Sequence, residues 1–220
     1  LAGPVAALKQ AQVLLRRDRR HRGRRGVRRD DHFNELTLDD GAGRGLVQLL
    51  LHAADGRLRF WLAPYATAGT VYWFDNVYLL KVTDGVPDPP DPDPQDPWVP
   101  PFGHCSEAAS GNVIGNPGFE AGTMAPWFFW TDGQGMAAQD PDRYECEKGA
   151  KVTIWREGSN VQLFQTGLAL LPNTSYQLRL AAKSSDGRDV RLYLHKHRSP
   201  NTNYGLNGLL LDLHNNRGAM

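Results

Sequence analysis

Apolar residues recur at every second position at the start of the second quarter of the chain. Leu58, Phe60 and Leu62 fall on one parity and Arg59 and Trp61 on the other, the pattern of a strand with one buried face. Pro64 and Gly69 break the run. VYWFDNVYLL over 71–80 then resumes it as an aromatic, β-branched second strand. Asp75 interrupts that strand, and a carboxylate in such a run needs donors or a cation. Farther on, turn residues punctuate alternating runs about every ten residues, as in a sandwich or barrel. Val152-Thr153-Ile154-Trp155 and Val161–Gln165 flank Gly158-Ser159-Asn160 as antiparallel neighbours, and Tyr176–Ala182 follows the turn at 172–175. In the next run Val190, Leu192 and Leu194 share a core face, leaving Arg191, Tyr193, His195 and His197 opposite. No long helix is visible among these runs, so the class they imply is all-β.

The flanks read differently. Helix-favouring residues from Pro4 to Leu15 suggest a partly helical N-terminal segment. Arg16 to Arg29, RRDRRHRGRRGVRR, has almost no apolar content. It reads as a poorly ordered, solvated tail or a stretch translated out of frame, with polyanion or nucleic-acid contact as the functional alternative. From Val86 to Pro97 proline alternates with acid, a composition that favours an extended polyproline II spacer. The division expected is therefore 1–52, basic and poorly ordered; 53–84, a strand pair; 85–103, a Pro/Asp linker; and 104–220, a β-domain.

Composition adds little beyond this. The net charge of +1 over 220 residues imposes no global field toward nucleic acid or membrane. The chain starts at Leu1 with neither a signal peptide nor a bilayer-long apolar run, so it reads as an internal fragment. Cys105 and Cys146 are the two cysteines, and spacing alone does not say whether they pair.

Asn116-Pro117-Gly118-Phe119-Glu120, then Pro126-Trp127, Gln162–Gln165, Leu194–His197 and Asn203-Tyr204-Gly205-Leu206 follow one another in an order that resembles carbohydrate-binding modules of the families four and nine type. The likeness spans roughly 112 to 213, and it implies an antiparallel jelly-roll β-sandwich of galactose-binding-like type. Residues 57–82 are similar to the last two strands of such a module, closing on Phe74-Asp75-Asn76-Val77. The resemblance thus describes the tail of one copy, a linker, and most of a second copy lacking its final strand pair. An unfilled slot leaves unpaired backbone groups beside apolar surface. Residues 57–82 are expected to dock there.

The resemblance implies non-catalytic binding of polysaccharide, of the xylan or β-glucan type, in a secreted or cell-surface protein that tethers an attached glycoside hydrolase or surface protein to its substrate. Pyranose C–H faces stack on aromatic rings and hydroxyls meet planar polar groups. The candidate ligand-binding residues are Trp130, Trp155, Tyr193, His195 and Tyr204, with Gln162, Gln165, Arg191 and Asn203 for the hydroxyls. Trp127 is assigned to the core, whereas Trp61 and Phe164 suit either role. The family likeness also implies a structural calcium held by Glu120 and Asp75, whose oxygens suit that ion. His195 and His197 have a spacing that could bind metal, but no third ligand is near in sequence. No pair of carboxylates suggests glycoside hydrolysis, and no nucleophile elbow or phosphate loop is present, so the chain is not read as an enzyme. A purely structural, adhesive module is the remaining alternative. Neither membrane nor nucleic acid is the expected partner.

Overall fold

A computed structural model describes residues 12–16, 34–39, 47–49, 53–81, 111–144, 146–171 and 174–213. Twelve strands follow in chain order: β1 Gln12–Arg16, β2 Asn34–Asp39, β3 Val47–Leu49, β4 Ala53–Trp61, β5 Val71–Lys81, β6 Phe128–Thr131, β7 Gln134–Asp140, β8 Gly149–Arg156, β9 Val161–Leu170, β10 Thr174–Ser184, β11 Val190–Lys196 and β12 Asn203–Leu211. They form two antiparallel sheets, and the described residues contain no helix, so the all-β expectation holds. One sheet has the order β12-β11-β4-β9-β6. The other runs β10-β5-β8-β7, with β2, β1 and β3 joined on at β10.

The helix expected from Pro4 to Leu15 is not what its described part forms. Gln12–Arg16 is a strand, paired with β2 from Gln12↔Asp39 to Arg16↔Glu35. Inter-strand pairing there overrides a weak local helix preference. The remainder of the arginine run, the Pro/Asp linker and Cys105 lie outside the described residues. Cys146 is disulfide-bonded, and the sequence contains one other cysteine, Cys105.

The strand pair at 57–82 sits inside the sandwich. β4 is the middle strand of its sheet, paired on one side with β11 and on the other with β9. β5 lies between β8 and β10 in the opposite sheet. The alternation read from the sequence explains both placements. Leu58 and Phe60 are fully buried while Arg57, Arg59 and Trp61 are only partly so, which fits a strand with one face on the core. Phe60 stacks on Phe74 at 4.8 Å and on Trp127 at 5.8 Å between ring centroids, so rings from both sides of the linker meet in one core. Such aromatic pairs contribute about 0.5–1.5 kcal/mol each beyond their buried area.

The Asn-Pro-Gly-Phe-Glu motif is a folded turn with a structural task. Asn116 and Phe119 adopt positive φ of 48° and 58°, and the turn is locked by its own side chains. Asn116 Nδ2 donates to the carbonyls of Thr123 and Ala125, and the Trp127 Nε1–H donates to the Asn116 carbonyl. Phe119 is buried and tilts against Trp127 at 5.4 Å, so Trp127 is a core residue, as expected.

Candidate functional site

Because β4 alternates, the side chains that avoid the core emerge together on the outer face of the five-stranded sheet. Register sets them in rows. One row runs Asn207, Tyr193, Arg59, Phe164, Phe128 from β12 to β6. A second runs Leu210, Arg191, Trp61, Gln162, Trp130. A third runs Asn203, His195, Arg57, Thr166. Aromatic rings, planar amides and guanidiniums therefore alternate across a single surface, which is the chemistry a saccharide chain needs.

Six of the nine predicted ligand-binding residues come together here. Trp130 is 46% exposed at the β6 edge, while Tyr193 and Arg191 lie on β11 beside the central strand. Arg191 Nε donates to the Tyr65 hydroxyl at 2.9 Å, and this bond holds the guanidinium above its ordinary pKa. Gln162 donates through Nε2 to Asn160 Oδ1 and accepts from Arg57 Nη2 at 2.6 Å. His195 Nδ1 meets the Lys196 carbonyl at 2.6 Å, which makes Nδ1 the protonated nitrogen. Burial, and secondarily the charges of Arg59 and Arg57, keep His195 below its usual pKa, although the bond to Lys196 opposes them. Asn203 is exposed and its Oδ1 accepts from the Gly205 N–H.

The other three predicted residues are placed elsewhere. Tyr204 is in the core, on the same parity of β12 as Leu206, which is also buried. Gln165 points to the inner side of β9. Its amide clips Gly115, accepting from the N–H at 2.8 Å and donating to the carbonyl at 2.9 Å. Among the described residues Trp155 is the most exposed large apolar one, but it lies on β8 in the other sheet, where it lines a shallow hollow with Thr131, Gly133, Gln134 and Gly135. Tyr204 and Gln165 are corrections to the sequence reading, and so is the pairing expected across Gly158-Ser159-Asn160: β8 pairs with β5 and β7 while β9 pairs with β4 and β6, because alternation assigns a face to each residue but not the sheet that bears it.

The residues missed outright are Arg57 and Arg59, together with Phe128. The Arg57 guanidinium lies 3.8 Å from the Phe164 ring centroid, and the Arg59 guanidinium lies 4.6 Å from Trp61 and 4.3 Å from Tyr193. Phe128 stacks on Phe164 at 5.6 Å. Trp61 and Phe164, which the sequence left between core and ligand roles, both stand on this outer face. Burial and the neighbouring charge of Arg59 push the Arg57 pKa down to about 10, and burial lowers that of Arg59 too. A half-buried pair of like charges on the central strand is electrostatically costly.

Glu120 and Asp75, the expected calcium ligands, both attend the loop that follows β7. Glu120 Oε1 accepts the N–H groups of Glu147 and Lys148, while Asp75, 1% exposed, accepts from Asn76 through Oδ1 and from Tyr144 through Oδ2. The buried carboxylate is thus met by donors, as its position in β5 required. Two carboxylates brought to one loop supply hard oxygens of the kind calcium takes, and a carboxylate has about four lone-pair sites to share between N–H groups and an ion. Among the described residues, no group of three or more His, Cys, Asp or Glu side chains is arranged to hold a metal, His195 and His197 included.

Comparison with known proteins bears on the family and not on the face. Residues 111–208 match the sequence model of a family described as a carbohydrate binding domain, the type read from the motifs at 112 to 213. Neither the curated proteins nor the solved structures provide a match.

Proposed function

We propose that this chain, whose residues 111–208 carry a carbohydrate binding domain, holds polysaccharide on the outer face of its five-stranded sheet without transforming it. One observation supports the reading above others: Trp61, Tyr193, Phe164, Phe128 and Trp130 stand on one face, interleaved with Gln162, Arg191, His195 and Asn203. The backbones to test first are xylan and β-glucan. The binding tethers an attached glycoside hydrolase or surface protein outside the cell, raising its effective concentration at the substrate. A structural calcium at Glu120 and Asp75 belongs to the same proposal. It would neutralise carboxylate charge beside the loop after β7 and stiffen the sandwich.

Pull-down of the full chain on xylan, β-glucan, cellulose and mannan tests the site. Tyr193→Ala is expected to weaken retention about five- to tenfold, the worth of one stacked ring. Trp155→Ala, on the other sheet, should be retained like the parent. Loss of binding in Trp155→Ala with full retention of Tyr193→Ala would move the site to the hollow beside β8.

A further inference from the structure

The rings of the outer face are not bare. Arg59 packs on Trp61 and Tyr193, and Arg57 packs on Phe164, so guanidinium already occupies part of the π surface of these three rings. We propose that the face selects acidic polysaccharide and that Arg57 and Arg59 receive the carboxylate of a uronic acid residue. This rests on the glycan-binding reading above and names the chemistry of the sugar.

Charge is the first argument. Arg57 and Arg59 are two residues apart on the middle strand, a separation of about 6.6 Å along a β-strand, which is inside the screening length of about 8 Å at physiological salt. Their repulsion is therefore felt. The three rows contain no carboxylate. Among the described residues the ion pairs are Lys151–Asp140, Lys183–Asp142 and Arg188–Asp186, and none includes either arginine. Asp55, the nearest acid along β4, lies beyond the register shift at Gly56 and forms no ion pair with them. Arg191 adds a third guanidinium in the neighbouring row, bonded to a phenol instead of an acid. Cation–π contact contributes about 0.5–2 kcal/mol but leaves the charge in place. No carboxylate among the described residues is paired with either arginine, which leaves both guanidiniums open to an anionic ligand.

Unsatisfied donors and acceptors make the second argument. Six buried side-chain polar atoms lack a partner among the described residues, and three of them, Arg57 Nε, Arg59 Nε and His195 Nε2, belong to this face. His195 is 8% exposed. With its Nδ1–H given to the Lys196 carbonyl, neutral His195 presents Nε2 as an acceptor, which suits a sugar hydroxyl. Guanidinium forks match a carboxylate in two-point geometry, and the row continues from Arg59 into Phe164 and Phe128. A ligand with a carboxylate, hydroxyls and an apolar ring face matches both the charge and the ring surface of this face. A uronic acid residue has each of them.

Titration of the full chain with glucuronoxylan, polygalacturonate and alginate tests the proposal, alongside the same polymers after reduction of their carboxyl groups and a neutral β-glucan. At least tenfold weaker binding of the reduced polymers is expected, together with at least tenfold weaker binding of the acidic ones by Arg57→Gln and Arg59→Gln. Arg59→Lys, which keeps charge and ring packing but loses the fork, should fall between, and its melting temperature checks that the face is still built. A variant with Arg24, Arg25, Arg28 and Arg29 changed to Gln should bind as the parent does. Equal binding of acidic and reduced polymers would discard the carboxylate and leave glycan binding standing. Binding of no polymer at all would remove both readings. Equal binding of dextran sulfate, lost when those four arginines are replaced, would assign the effect to a basic tail and overturn the proposal.

Discussion

Arg57 reaches from the central strand across β9 to donate through Nη2 to Gln162 Oε1 at 2.6 Å, passing over the Phe164 ring on the way. Gln162 thereby holds a guanidinium of the face through its side-chain amide, and Asn160 fixes its orientation from the other side. The outer face is consequently anchored by contacts between segments that are 105 residues apart in the chain.

Gln162→Ala removes that anchor. A hydrogen bond to a charged group is worth about 1.5–3 kcal/mol when partly buried, so a loss of stability near the lower end of that range is expected, with weaker glycan binding alongside it. Chemical denaturation reads the first effect and polymer titration the second. A variant as stable as the parent would show that Arg57 finds another acceptor.

Severing the linker should not separate the strands it joins. β4 and β5 each pair on both sides with strands of the 111–213 segment, and Phe60 and Phe74 are buried in the shared core. With a protease site engineered between residues 85 and 103, the two fragments are expected to co-elute under native conditions and to part in denaturant. Release of the N-terminal fragment on cleavage would contradict the pairing.

His195 gives the protein a pH dependence of definite sign. Its folded pKa lies below the ordinary value of 6.5 because burial, Arg59, Arg57 and His197 all disfavour the cation, the bond to Lys196 opposing them. The unfolded chain therefore takes up the proton first, and stability should fall as pH drops through about 6.5 toward the folded value. Above that pH the group is neutral in both states and contributes no slope. His195→Gln should show a shallower decline on acidification in paired melting curves. Identical slopes would mean that this imidazole is solvated well enough to titrate normally.

Calcium, if held by Glu120 and Asp75, should raise the melting temperature by several degrees at millimolar concentration through preferential binding to the folded state. A chelator should reverse the rise, and Glu120→Gln should abolish it. A melting temperature indifferent to calcium in the parent chain would remove the ion from the account.

Much of the sandwich could be read from alternation, because Leu58 and Phe60, or Val190, Leu192 and Leu194, announce a buried face without reference to anything else in the chain. The site was less legible. Tyr204 shares parity with Leu206, a signal for the core that was present in the sequence, whereas nothing local to Trp155 tells which of two sheets its strand joins. Arg57 and Arg59 carry no local signal, because charged residues opposite an apolar parity ordinarily face water. Their meaning depends on β4 lying between β9 and β11, and that is a fact about non-local pairing. Asp75 shows the opposite case: the need of a buried carboxylate for donors follows from its neighbours, and the N–H groups of Asn76 and Tyr144 meet it.

The middle of the outer face precedes the proline-rich spacer in sequence, and its margins follow it. A saccharide lying across Arg59, Phe164 and Tyr193 would bridge the seam between the two, so occupancy and cohesion are linked, with ligand adding RT ln(1 + [L]/Kd) to the union of the halves. Sugar would act as a clasp, and a nicked molecule would keep its hold longest where polysaccharide is plentiful.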